Sequence, residues 1–408
     1  MSIIIRNCRT LEFEKTVDIL IESGIIRKVD ERIDYKGDEE IEARGKLVLP
    51  SFVEPHIHLD KAFLAENLPE AKSMSEARRL VREAKASFSE EDVTERAERC
   101  IREAILNGVT YMRSHVDIDN IAGLKSFEAL LGLKRKFERY LTLQIVAFPQ
   151  EGVLRKEGAF ELIESALDRG ADAVGGLPEA ELDREKGIKH IQKLVSLAVE
   201  RKVPVDMHID VQPYTNYIEY FIAEVKRHEL HSFATADHLI ALAYYDDNYA
   251  SKIISMIRDA GINVISNPCT SMVSGGNSAP PLARGVTRIK ELLASGVNLA
   301  FGLDNVVDPY NPFGDFEPLR NAWLFAYEGQ LNSKEEMVKL LKMPTYNSSR
   351  ILGIESYGLQ EGSKADLNII QAPTPRDALR LAPRPSYVIR SGSIIAKREE
   401  KISSRLDI

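Results

Sequence analysis

Eight short β-rich runs alternate with helical runs from about residue 50 onward, and this alternation restricts the fold more than any other feature of the chain. The runs are Phe52–His56, Thr110–His115, Thr142–Phe148, Ala173–Gly176, Val203–His208, Phe233–Asp237, Ile262–Ser266 and Val297–Phe301. Strands separated by helical connections pair in parallel, because a crossover returns each strand to the same end of the sheet. Eight such units predict a (β/α)8 TIM barrel. A doubly wound open sheet is the alternative, but no glycine fingerprint of the dinucleotide or phosphate-loop kind follows the first run. The clearest helix is Glu91–Leu106, where Val93, Ala97, Cys100, Ile101, Ala104 and Ile105 form one stripe at 3.6-residue spacing. Ser89 stands where a helix start wants it and Gly108 where a helix end does. Phe160–Asp168, Lys186–Val199 and Tyr217–His228 also read as helices.

The two ends have a different texture. Residues 1–50 hold "SIIIRN", "TVDILIES", "IIRKVD" and "GKLVLP", and the C-terminal stretch holds "ADLNIIQA", "SYVIRSG" and "SIIAKREE". These are short antiparallel strands with turns between them. The expected organisation is one small β-sandwich built from residues 1–50 plus 351–408, flanking a catalytic barrel of residues 51–350.

The bulk numbers exclude several classes of partner. Among 408 residues the net charge is −8, which leaves no electrostatic footprint for nucleic acid. No run of about 18 apolar residues occurs, so no membrane span is expected, and the N-terminal isoleucines are too few for a secretory h-region. The three cysteines, Cys8, Cys100 and Cys269, are scattered. They make neither a disulfide framework nor a thiolate metal site and suit a reducing cytoplasm. Small molecules and further copies of the chain, in a homo-oligomer, remain as partners.

The chemistry starts at "SFVEPHIHLD". Residues i and i+2 of a strand face one side, so His56 and His58 point together into a barrel mouth. Alone the pair is a weak signal. The other strands strengthen it: they end in His115, Gln150, His208, His238 and Asp304. Five of the eight histidines thus fall at the C-terminal ends of predicted strands, the end where such barrels keep their chemistry. The other three, His190, His228 and His231, are expected at the surface. Three neutral imidazoles and a carboxylate suit a divalent transition metal, zinc or iron, which makes hydroxide available near neutral pH. Asp304 then serves as general base, and His238 stabilises charge developing at the attacked carbon. The competing reading is a barrel core whose histidines are satisfied without a metal.

The segments "FVEPHIHLD", "LQIVAFPQEG", "GINVISNP" and "FGLDNVVDPYNPFG" resemble the amidohydrolase superfamily, most nearly its bacterial cytosine deaminase branch, and the resemblance runs through nearly the whole chain. It implies the barrel-plus-sandwich fold. It implies one metal ion held by His56, His58, His208 and Asp304, with His238 beside the reactive water. It also implies that Gln150 hydrogen-bonds the edge of a heterocyclic ring. No lysine ends the fourth strand ("AVGGLPEA"), where binuclear members carry a carboxylated one, which favours a single ion.

The departures lie where substrate is read. Cytosine deaminases carry a proton-shuttling glutamate three residues after the strand-five histidine; here that position is Val211. Asp210, two residues after His208, is the candidate replacement, with a solvated loop acid as its plainer reading. Asn305 follows the metal aspartate where those enzymes have a second aspartate, and Tyr310 stands where they have a tryptophan. The loop "TSMVSGGNSAPP" also differs. Lys61 reads as the partner of a nearby acid such as Asp60 or Glu54, with an anionic group on a substrate as the alternative, and His115 as a buried histidine bonded to a neighbouring strand end, with a place in the pocket lining as the alternative. The expectation is a C–N hydrolase that deaminates a nitrogen heterocycle other than cytosine. The alternatives are a cyclic amide or N-alkyl amine hydrolase on the same site, and a catalytically silent metal-binding barrel.

Overall fold

All eight expected barrel strands form. In the computed structural model, which describes residues 2–274, 286–399 and 403, they are Phe52–Ile57, Val109–Asp117, Thr142–Phe148, Ala173–Gly176, Val205–Ile209, Ala234–His238, Asn263–Ser266 and Leu299–Phe301. Each pairs in parallel with its sequence neighbours, so strand order follows chain order. A doubly wound sheet would reverse direction part-way and would leave the first and eighth strands far apart. Here they meet. His58 N donates to Asp304 O and Asp304 N donates to His56 O, both at 2.9 Å. The barrel therefore closes through the backbone of the very residues singled out for metal binding.

The helix expected over 91–106 is observed at Glu90–Leu106. Ser89 Oγ accepts the Asp92 N–H at 3.2 Å, and three acids in the first turn complement the helix dipole. Its buried stripe includes the six expected apolar residues and also Arg96. The Arg96 guanidinium donates to the carbonyls of Asp60 (2.7 Å) and Ala62 (2.9 Å), fixing the loop that follows the first barrel strand. Gly108, at φ +87°, ends the helix against Asn368; a Cβ there would meet the Asn368 side chain at 2.5 Å.

Both termini build the flanking layers. One sheet holds Ile25–Asp30, Val17–Glu22, Ser2–Cys8 and Glu39–Glu42; the other holds Ser393–Lys397, Pro385–Arg390, Leu367–Ile370 and Leu47–Pro50. They share a core that includes Ile3, Ile19, Ile21, Val48, Leu367, Ile369 and Ile389. Leu47–Pro50 pairs antiparallel with Leu367–Ile370, so chain ends more than 300 residues apart are stitched together just before the first barrel strand. One pairing differs from the antiparallel expectation: Glu39–Glu42 runs parallel to Ser2–Cys8. The excursion after Asp30 returns the chain to the start of that strand, where Asp38 accepts the Ser2 N–H at 2.7 Å. No described helix is long and apolar enough to cross a membrane.

The barrel floor is polar. Arg113, 1% exposed, donates to Asp206 Oδ2 at 2.7 Å and to Gln144 Oε1 at 2.9 Å. A buried guanidinium needs such partners. The polar column continues upward from Asp206 to His115 and Asp237 and reaches the mouth of the barrel.

Candidate metal centre

His56 and His58 leave the first barrel strand, His208 the fifth, and Asp304 the loop after the eighth. One side-chain atom from each lies within 4.8 Å of all the others. His58 Nε2 is 3.1 Å from His208 Nε2 and 3.4 Å from Asp304 Oδ1, and His56 Nε2 is 3.5 Å from Asp304 Oδ1. His58 Nδ1 meets the His115 carbonyl at 3.1 Å, which places its proton on Nδ1 and leaves Nε2 a lone pair. His56 Nε2, buried, has no hydrogen-bond partner among the described residues. Burial pulls His58 down to about 3, helped by Lys61, and pulls His208 well below the usual histidine range, so both are neutral ligands. At His56 burial acts the same way, but the Asp237 and Asp304 carboxylates outweigh it and push the ring up to about 10. Converging lone pairs beside carboxylates that favour positive charge are the donor set of a divalent cation, and the residues fit one.

A second layer holds the ligands. Asp237 Oδ2 lies 3.0 Å from His56 Nδ1, 3.5 Å from His115 Nε2 and 3.7 Å from His208 Nδ1. Glu54 Oε1 accepts the N–H groups of His56 (3.1 Å) and Leu303 (3.0 Å), clamping the first strand to the end of the eighth. The Phe148 ring stacks on His208 at 4.3 Å. None of these three is expected from sequence to hold the ligands; Glu54 enters there only as an acid near Lys61. Asp237 was within reach: alternation along Ala234–His238 turns it and His238 to opposite sides. His238 reaches the same cavity because it takes φ +71°, a left-handed conformation rare outside glycine. Asn267 Nδ2 stands 3.3 Å from His238 Nδ1, and burial holds the ring neutral, with its pKa down to about 3.

A cavity of about 340 Å³ opens over the ligands, and Lys61, Gln150, His208, His238, Asp304, Asn305 and Tyr310 all line it. Lys61 is 1% exposed, and its ammonium contacts Asp117 Oδ1 (2.8 Å) and Gln150 Oε1 (3.2 Å), rather than Asp60 or Glu54. With its oxygen so engaged, Gln150 keeps its NH2 to donate. Asn305 is oriented by Thr270 Oγ1, which donates to its Oδ1 at 3.2 Å, and by Asp308 Oδ2, which accepts from its Nδ2 at 2.6 Å. Of the "TSMVSGGNSAPP" loop, residues 275–281 lie outside the described residues.

Three expectations require correction. Asp210 does not follow strand alternation, because the strand ends at Ile209 and Asp210 takes φ +53°. Its carboxylate turns away from the cavity and accepts the N–H groups of Tyr217 (2.8 Å) and Ile218 (3.3 Å), at the start of helix Ile218–Arg227. Asp210 is buried rather than solvated, and it does not line the pocket. Asp210→Ala is expected to cost about 1–2 kcal/mol of stability, as the loss of a helix-start acceptor does, without lowering kcat of the folded enzyme. Paired thermal melts and rate measurements check this; a loss of about 10² in kcat at unchanged stability would return the residue to the chemistry. The remaining corrections concern His190 and Lys61. His190 is fully buried, not at the surface: its Nδ1 lies 2.8 Å from Glu181 and its Nε2 accepts the Leu177 N–H at 2.9 Å, securing the end of the fourth strand. Lys61 has the acid partner given above. His115 is buried as expected, 3.3 Å from Asp206.

The sequence profile of the amidohydrolase family matches residues 39–155 and 64–396. The chain belongs to the amidohydrolase family. It is 30% identical to the N-isopropylammelide isopropyl amidohydrolase of Pseudomonas sp. (strain ADP), across 97% of this chain and 98% of that one. It is 25% identical to the pterin deaminase of Rhizobium rhizogenes, over 93% and 87% of the two chains. Among solved structures, the 5-methylcytosine deaminase from Klebsiella pneumoniae liganded with 5-fluorocytosine superposes with a TM-score of 0.94 at 33% identity, covering 99% of both chains. This amidohydrolase is an enzyme acting on carbon–nitrogen bonds other than peptide bonds.

Proposed function

We propose that this amidohydrolase deaminates a nitrogen heterocycle other than cytosine, using one divalent ion, zinc or iron, held by His56, His58, His208 and Asp304. The observation that carries the reading is the meeting of those four donors within 4.8 Å, directly beneath a cavity lined by amide groups. The relatives named for 5-methylcytosine, pterin and N-isopropylammelide match this chain over 99%, 87% and 98% of their own lengths. A divalent ion bound there supplies the Lewis acidity that lets water ionise near neutral pH.

The chain's own side chains do the rest. Asp304 takes the proton of the attacking water at a carboxylate oxygen. Its carboxyl is held well below the usual range despite burial, by His56, His58 and His238, so it enters the reaction ionised. His238, neutral and set by Asn267, donates a hydrogen bond toward the oxygen as charge grows on it. Gln150 donates to the ring edge through its free NH2, Asn305 offers one remaining N–H and one remaining lone pair, and Tyr310 closes the wall. The three free cysteines suit the cytoplasm.

A second reading, hydrolytic loss of an N-alkyl amine, is favoured by the 30% identical relative. One experiment separates the two: screen aminopyrimidines, pterins and alkylamino-triazines with the metal-loaded protein, and identify the amine released. Stoichiometric ammonia supports deamination; release of the alkylamine supports the second reading. Chelation is expected to abolish turnover, and zinc or iron to restore it. Full metal occupancy with no turnover on any ring would establish the silent barrel instead.

A further inference from the structure

We propose that the ring deaminated by this enzyme carries a carboxylate substituent, held by Arg78 and Arg155 at the mouth of the barrel. This rests on the hydrolytic reading above and names a substrate class for it. Beside the cavity over the metal ligands lies an outer cavity of about 440 Å³, larger than the inner one. Arg78, Gln150, Leu177, Val211, Gln212 and Tyr310 line both, so the two meet along these residues. A bare ring set over the metal ligands leaves the outer space unused; a ring with a polar arm fills both.

The helix Met74–Lys85 places Arg78 at that junction. Ser73 Oγ starts the helix by accepting the Glu76 N–H at 3.2 Å. Met74, Arg78, Val81 and Lys85 succeed one another at spacings of three and four residues, which is one helix face, and all four line the cavities. Val81 and Lys85 are buried. Lys85 Nζ reaches Asp117 at 2.9 Å and Asp119 at 2.6 Å, which pins this face against the barrel. About two turns earlier on the same face, Arg78 is exposed and has no hydrogen bond or ion pair among the described residues.

The charges nearby do not cancel it. Arg79 is paired with Glu83 at 2.8 Å, and Arg82 lies 3.7 Å from Glu151. Glu181 spends its carboxylate on His190 (2.8 Å) and on the Val153 N–H (2.7 Å). Glu179 accepts the Val211 N–H at 3.1 Å, and burial, reinforced by Asp210, pushes its carboxyl up to about 8. Lys61 is matched by Asp117. Among the described residues Arg155 donates to the Ala180 carbonyl at 3.1 Å and meets no carboxylate, so most of its fork is free. Two guanidinium groups without an acid thus line one cavity, in a chain whose net charge is −8. Such a wall concentrates anions, and the planar fork of arginine matches a carboxylate. Val211, apolar and at the junction, adds no charge that would repel one.

Matched rings test this with the metal-loaded protein: cytosine-5-carboxylate against 5-methylcytosine, and pterin-6-carboxylate against 6-methylpterin. The wild type is expected to favour a carboxylated ring over its methyl partner by about tenfold or more in kcat/KM, chiefly through KM, as a hydrogen bond to a charged group does. Added salt is expected to erode the preference. Arg78→Met is expected to abolish it and Arg155→Met to reduce it, whereas Arg79→Met, which removes an arginine already paired with Glu83, keeps the wild-type ratio. Calorimetric titration with the deaminated rings, uracil-5-carboxylate against 5-methyluracil and lumazine-6-carboxylate against 6-methyllumazine, reads the same contact without turnover. Thermal melts show which variants fold; should R78M not fold, R155M decides. An active wild type that treats the partners alike, or folded R78M and R155M that keep the preference, overturns the carboxylate proposal and leaves deamination standing. A wild type silent on every ring overturns the hydrolytic reading, and the titration then decides the contact by itself: equal binding of the paired rings removes it.

Discussion

Asp304→Asn is expected to abolish turnover on any substrate, by at least about 10³ in kcat, and to strip the protein of its metal. Loss of the general base alone accounts for 10²–10⁴. The same change also removes the one anionic member of the four-donor set, whose oxygen stands 3.4–3.5 Å from the Nε2 atoms of His58 and His56. Asparagine fills the same volume and tolerates φ +68° well, and the backbone bonds that close the barrel use the N–H and C=O of residue 304, not its side chain. The variant should therefore fold. Metal content by elemental analysis, amine release and a melting curve check the three parts separately. A folded variant with full metal and activity within a few-fold of wild type would show that Asp304 is neither ligand nor base.

Asp117→Asn is expected to give the largest loss of stability of any single charge removal near the pocket, about 3–5 kcal/mol. Asp117 is fully buried and receives Lys61 Nζ at 2.8 Å and Lys85 Nζ at 2.9 Å; Lys85 also reaches Asp119 at 2.6 Å. Burial works against every one of these charges. The two lysines nevertheless hold Asp117 well below the usual carboxylate range, and the acids hold both lysines above theirs. For a carboxylate depressed on folding, the stabilisation is complete above its unfolded pKa, near 4, and is lost as pH falls below it. Denaturant melts at pH 7 and pH 3 should therefore differ for wild type and differ less for the variant. Because the variant leaves two ammonium groups short of a partner, Lys85→Met on that background should recover part of the loss, as a double-mutant cycle would reveal. A cost below about 1 kcal/mol at pH 7 would mean that the network is solvated and carries little. Lys61 also touches Gln150, so the variant should weaken substrate binding as well.

This network marks the limit of what strand patterns can tell. The eight strands were legible from apolar runs and their spacing, with ends displaced by up to two residues. Positions at strand ends were legible too, since the open end of a parallel barrel must receive whatever leaves the C-terminus of each strand. Lys61 sits 56 residues from Asp117, and no local pattern connects them. His190 lies on a helix beside Ile191 and Leu194, and its burial was hidden by reading histidine as a surface residue. Asp210 was misplaced because strand alternation was carried one residue beyond the strand.

The amino-acid order alone determined the barrel, the flanking layers drawn from both termini, and the convergence of histidines and an aspartate from separate strands, because periodicity and position within a repeating β/α unit are local properties. Only the tertiary structure decided which carboxylates face the cavity and which are spent on holding it. That choice turns on single backbone dihedrals at His238, Asp210 and Asp304, all in the left-handed region, and on partners brought together from distant strands. Neither is encoded in any short stretch of sequence.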